Sequence, residues 1–132
     1  MNLDLKGHKR KKMGLKRFKN SFLYSLDGLK YAFINEQSLL VHCIVTVLVT
    51  ILGLILHISI IEWLFTIIMI GLIISLELIN TAIEAVVDLT TSQIHPLAKI
   101  AKDTASASVL VLALVAGIGA IIIYVPKILE LF

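Results

Sequence analysis

Residues 39–61 form an uncharged, largely apolar stretch in which His42 and His57 are the only strongly polar interruptions. At a rise of 1.5 Å per residue it covers about 34 Å, enough to cross a hydrocarbon core of about 30 Å as one helix. A second stretch begins at Trp63, a residue favoured at the membrane interface, and stays apolar to Leu76. Only "HISIIEW" joins the two, a connection so short that the helices must run antiparallel. A third stretch, 105–125, carries no charge and is followed by Pro126, which the sequence predicts as its stop. Three transmembrane helices, at 39–61, 63–89 and 105–125, are therefore expected in a single all-α membrane domain covering 1–132. Composition agrees: 58% of the residues are hydrophobic, 16% are charged and mean hydropathy is +0.97, outside the range of ordinary soluble domains. The one cysteine, Cys43, excludes an intramolecular disulfide framework and a CxxC metal site.

The charge is unevenly placed. Residues 1–38 hold nine of the twelve Lys and Arg, none lies in the first turn, and Lys99 and Lys102 lie in the second connection. By the positive-inside rule the N-terminus and residues 90–103 are expected on the cytoplasmic side of the membrane. No cleavable signal is expected, so the apolar segments remain as anchors. Within residues 15–38, Leu15, Phe18, Phe22, Leu26, Leu29 and Phe33 recur at spacings of three and four, with Lys16, Arg17, Lys19, Asp27 and Lys30 between them. This predicts a basic amphipathic helix on the membrane surface; a helix packed on a soluble partner would show the same pattern. Residues 1–14, with "HKRKK", read as a basic arm suited to anionic lipid. No nucleic-acid partner is expected.

The second stretch ends in "SLELINTAIEAVVDL", residues 75–89. On a helix, Glu77, Asn80, Glu84 and Asp88 fall within a stripe roughly 80° wide. A carboxylate at the centre of a membrane helix costs about 2.5–3.5 kcal/mol, against only about 0.3–0.6 kcal/mol recovered per Leu or Ile. Acids at this depth point to function, although pairing with Lys99, Lys102 or helix ends is the plain alternative. Glu36, just before the first span, is expected at the same cytoplasmic boundary. Glu36 and Glu84 supply hard oxygen ligands of the kind Mg²⁺ takes together with substrate phosphates. Glu77, set deeper, is placed to act as a base towards a lipid hydroxyl. The connection "TTSQIHPLAKIAKD" adds His95, Lys99, Lys102 and Asp103, with cations suited to phosphate. His42 and His57 are weaker candidates, at the inner boundary and the outer turn. There is no GxxxxGK[ST] loop, HExxH or nucleophile elbow. The small residues of "GIGAII", with Ala113 and Ala116, suit close helix packing.

"ELINTAIEAVVD" followed by "AKD" resembles the signature of the small bacterial integral-membrane lipid kinases, the prokaryotic diacylglycerol kinase and undecaprenol kinase family. The resemblance runs from the amphipathic segment through all three spans. It implies a homotrimer with composite sites at subunit interfaces, and phosphorylation of a membrane lipid alcohol by ATP and Mg²⁺. Matched by position, it implies Glu77 as catalytic base, Glu36 and Glu84 as metal ligands, and Asn80 as the polar neighbour of the base in the substrate site. Arg17, Tyr24, Glu36, Glu84, Gln93, His95, Lys102 and Asp103 fall where the family contacts ATP, and Ser106 lies near its lipid site. "NEQSLLVH" departs from the family in lacking the Asn and Arg that many relatives carry between the glutamate and the histidine. The outer turn and "PKILELF" look most like the undecaprenol kinase branch, with diacylglycerol kinase as the alternative. Rival readings from other classes are an ion-coupled transporter, in which the acids form a relay, and a non-enzymatic regulatory subunit.

Overall fold

The computed structural model describes residues 14–90 and 95–132, all of them helix apart from short connections. Four helices follow in order: α1 (Leu15–Asn35), α2 (Gln37–Ile55), α3 (Ile60–Thr90) and α4 (Pro96–Leu129). The chain divides into two units, Met1–Tyr31 and Ala32–Phe132. In the first, the Gly14 carbonyl accepts from the N–H groups of Arg17 and Phe18 and opens α1. Ser25 donates its hydroxyl back to the Ser21 carbonyl within that helix.

In the second unit, α2, α3 and α4 are each long and apolar enough to cross a membrane. Their lengths differ in a way that matters for the site. The 19 residues of α2 rise about 28 Å, close to the hydrocarbon thickness, whereas the 31 of α3 and 34 of α4 rise about 46 and 51 Å. The excess of α3 is about ten residues. Counted from its start at Ile60, about 30 Å of rise ends near Ile79, and antiparallel α4 overshoots at the same end. Glu77 falls just within that length and Glu84 beyond it.

The opposite end is closed by local chemistry that shortens the first span. It ends at Ile55 rather than at residue 61 because His57 adopts a left-handed conformation with φ of 49°. The N–H of His57 reaches the Leu54 carbonyl and that of Ile58 the Gly53 carbonyl, a Schellman closure. Ser59 then caps α3: its hydroxyl accepts from the Glu62 N–H, and the Glu62 carboxylate accepts from the Ser59 N–H at 2.6 Å. The third span also differs from expectation. It begins at Pro96, in the favoured first helical position, with His95 Nδ1 accepting from the Leu97 N–H, and it runs through Pro126 to Leu129. Pro126 removes one hydrogen bond a single turn from the end, where the loss is small, so it does not stop the helix.

α3 packs along α4 over more of its length than along α2. Gly119 permits the closest approach, since a Cβ there would lie 2.3 Å from two atoms of the Phe65 ring. α2 stands off from α4 and is tied to it near the turn end, where the buried Tyr124 hydroxyl donates to the Val49 carbonyl at 3.4 Å. Between the three helices lies an apolar cavity of about 300 Å³, walled by Val45, Phe65, Met69, Ala116 and Tyr124 and reached at one end by His42.

Candidate active site

The last turns of α3, the head of α2 and the start of α4 converge at the end opposite the turn. Glu36 breaks α1 from α2 in extended backbone, and its side chain makes no capping bond to α2. Burial raises its pKa above the usual carboxylate value; Glu84 and Glu77 raise it further, and Lys102 acts in the opposite direction. Carboxylates are thus concentrated where α2 meets α3, with Lys102 offsetting part of their charge.

Glu77 is buried, with only 3% of its surface exposed. Ser38 and His42, one turn apart on α2, both reach it: the Ser38 hydroxyl donates to Oε2 at 2.9 Å and His42 Nε2 lies 3.1 Å from Oε1. One turn along α3, the Asn80 amide donates to Glu84 Oε1 at 3.0 Å. The other side of that amide, Oδ1, is buried with no hydrogen-bond partner among the described residues. A buried acceptor in that state carries an unmet desolvation cost of about 1–3 kcal/mol, which a hydroxyl donor would relieve. From α4, Lys102 Nζ reaches Asp88 Oδ1 at 2.7 Å and Glu84 Oε2 at 3.9 Å. The stripe is therefore graded. Its outer carboxylates are paired with a cation, while Glu77 is held by a hydroxyl and an imidazole.

The structure brings Glu36, Glu77, Asn80, Glu84 and Lys102 together. Asp103 turns away from this cluster, pairing with Lys99 one helical turn before it on an exposed face of α4. His95 spends Nδ1 on capping, and Ser106 is exposed on α4. Arg17 and Tyr24 lie on α1 in the first unit. Gln93 lies outside the described residues. Two groups not assigned from the sequence join the site: Ser38, and His42, there rated a weaker candidate. Their spacing of four residues on α2, one face of one helix, was the available signal.

A family profile described as prokaryotic diacylglycerol kinase matches residues 23–124. The undecaprenol kinase of Bacillus subtilis is 40% identical over 125 residues, 95% of this chain and 99% of that protein. The diacylglycerol kinase of Helicobacter pylori is 41% identical over 101 residues, 76% of this chain and 79% of its own, and that of Haemophilus influenzae 39% identical over 108 residues, 82% and 92%. The chain belongs to the prokaryotic diacylglycerol kinase family. It is thus a multi-pass membrane enzyme of the lipid kinase class, rather than an ion-coupled transporter or a regulatory subunit. The acidic stripe, the Asn80–Glu84 bond and Lys102 all lie within the matched segment.

In this family Mg²⁺ is the implied metal. Among the described residues no three His, Cys, Asp or Glu side chains form a cage of their own. Mg²⁺ ordinarily takes only one or two carboxylates and completes its shell with water and substrate phosphate. Two carboxylates, Glu36 and Glu84, the second raising the first's cost of ionisation, fit that demand.

Proposed function

We propose that this kinase transfers the γ-phosphoryl group of ATP to undecaprenol at the cytoplasmic face of the bacterial membrane. The observation that carries the reading is the burial of a carboxylate, Glu77, held by a hydroxyl and an imidazole rather than by a Lys or Arg, beside a cluster suited to phosphate. A water-soluble co-substrate and a lipid alcohol can meet only at the membrane boundary. The choice of undecaprenol over diacylglycerol rests on similarity to the Bacillus subtilis undecaprenol kinase across almost the whole length of both chains.

In the proposed reaction Asn80 Oδ1 accepts the hydroxyl's single hydrogen as the alcohol docks and steers it, and Glu77 then takes that same proton. The alcohol oxygen forms a bond to the γ-phosphorus as the bond to the bridging oxygen breaks, and ADP leaves with that electron pair. Lys102 supports the negative charge of the phosphates from α4. Glu36 and Glu84 would hold Mg²⁺, which when bound neutralises phosphate charge. Placement of the reacting groups, rather than covalent chemistry, is what the protein supplies.

The family resemblance supports further assignments. Arg17 and Tyr24 on α1, with Gln93, His95 and Asp103, contact ATP, and Ser106 contacts the lipid. α1 acts as the amphipathic helix on the cytoplasmic surface, and three copies form a homotrimer with composite sites. The prenyl chain enters the apolar cavity past His42.

Competition in one mixed micelle, with labelled ATP and equal surface fractions of undecaprenol and diacylglycerol, tests the substrate. Undecaprenyl phosphate is the expected major product, each tenfold preference corresponding to about 1.4 kcal/mol of transition-state binding. Predominant phosphatidic acid would overturn the undecaprenol assignment.

A further inference from the structure

Every other acid of the stripe is met by an amide or a cation, but Glu77 is gripped from a neighbouring helix at both of its oxygens. A carboxylate offers about four acceptor positions, two on each oxygen. One donor on Oε1 and one on Oε2 fix the plane of the group and leave each oxygen able to accept a further proton. The donors are also chemically apt. A Lys or Arg at the same place would pair with the charge that Glu77 needs in order to take a proton, whereas a hydroxyl and a neutral imidazole orient the group without forming an ion pair. For neutral His42 to make this bond, Nε2 must carry the hydrogen and Nδ1 must not.

We propose that Ser38 and His42 are positioning residues that form a two-point clamp on the Glu77 carboxylate. This inference rests on Glu77 being the base. His42 is the member exposed to change: 22% of its side chain is accessible, against 3% for Glu77. It also lines the apolar cavity, so the imidazole stands between the lipid passage and the base. The other ionisable groups around the pair in this unit are Glu36 at the head of α2, Glu84 and Asp88 on α3, and Lys102 on α4, with Tyr124 at the far end of the cavity. None of them bonds to His42 among the described contacts.

The test is steady-state kinetics in mixed micelles for wild type, Ser38→Ala, His42→Leu, His42→Gln and Glu77→Gln. Loss of orientation at a reacting group costs up to about 100-fold. His42→Leu is therefore expected to lower kcat roughly 10- to 100-fold and Ser38→Ala roughly tenfold, with KM for ATP and the Mg²⁺ requirement unchanged. His42→Gln keeps an N–H donor, so it is expected to recover most of the turnover. Should His42→Leu fail to fold by circular dichroism, Ser38→Ala and His42→Gln carry the test. Wild-type turnover in Ser38→Ala and in whichever His42 variants fold, or no recovery of turnover in His42→Gln over His42→Leu, overturns the clamp. If Glu77→Gln is inactive while the α2 variants behave as wild type, only the clamp falls; if Glu77→Gln is itself fully active, the assignment of the base falls first.

Discussion

Gly119→Ala tests how α3 and α4 pack and what the cavity beside them is for. The added methyl carbon would stand 2.3 Å from Cε1 and Cζ of Phe65, where ordinary contact begins at 3.4 Å, so the ring must retreat by at least 3.4 − 2.3 = 1.1 Å. Overpacking a filled core costs about 1–3 kcal/mol. Here the ring forms one wall of the 300 Å³ cavity and has room to move, which places the cost at the low end of that range. Replacing Gly by Ala within a helix returns about 0.5–1 kcal/mol. The two nearly cancel, and the net change is expected within about 1 kcal/mol of zero. Gly71→Ala is the control, since a Cβ there meets nothing within 4 Å in the chain, and it should gain the helix term alone. The activity effect is expected to be larger than the stability effect. If the lipid chain occupies the cavity, a ring pushed into it lowers kcat/KM for the lipid severalfold and leaves KM for ATP unchanged. Stability is read by reversible denaturant titration in mixed micelles, and activity by initial rates over a range of lipid surface fraction. Unchanged lipid kcat/KM in Gly119→Ala, together with the stability gain of Gly71→Ala, would refute both the ring contact and the role of the cavity.

Glu77→Gln preserves shape but cannot take a proton, so turnover is expected to fall by roughly 10²- to 10⁴-fold with ATP binding retained; near-normal turnover would remove Glu77 from the chemistry. Glu36→Ala and Glu84→Ala are each expected to raise the Mg²⁺ concentration needed for nucleotide binding, and an unchanged metal titration in both would reject them as ligands. His57→Gly relieves the left-handed strain at the turn and is expected to stabilise the protein by about 0.5–1 kcal/mol in the same denaturant titration, less than the full left-handed penalty because Gly also loosens the unfolded chain; destabilisation would show that the His57 side chain is itself needed. A cysteine at Ser59 in a Cys43-free background is expected to react with an impermeant reagent from outside the cell and one at Ser92 only after permeabilisation, and the reverse pattern would invert the proposed orientation.

The sequence alone determined the features that depend on one helix at a time. Apolar runs long enough for a bilayer can satisfy their backbone as helices without a partner, so the three spans were legible from length and composition. The stripe of Glu77, Asn80, Glu84 and Asp88 followed from the 3.6-residue repeat in the same way, and the family signature from the order of those residues. Helix ends were less legible, because they are set by backbone geometry that residue type specifies only loosely. His57 occupies the left-handed position where Gly would have announced a stop, and Pro126 sits too near the end of α4 to break it. The partners of the acids were decided only by the tertiary structure. Lys102 and Asp103 are neighbours in the chain, yet about 100° of helical rotation separates them, so one reaches Glu84 and Asp88 while the other faces Lys99. Ser38 and His42 share a face of α2 by spacing alone, but which residue of α3 that face meets depends on the register between the helices. That register is fixed by a four-residue turn, by the fit of Ile58 and Trp63 against Gly53, and by the depth at which the two helices pack, a sum of non-local contacts that no local pattern encodes.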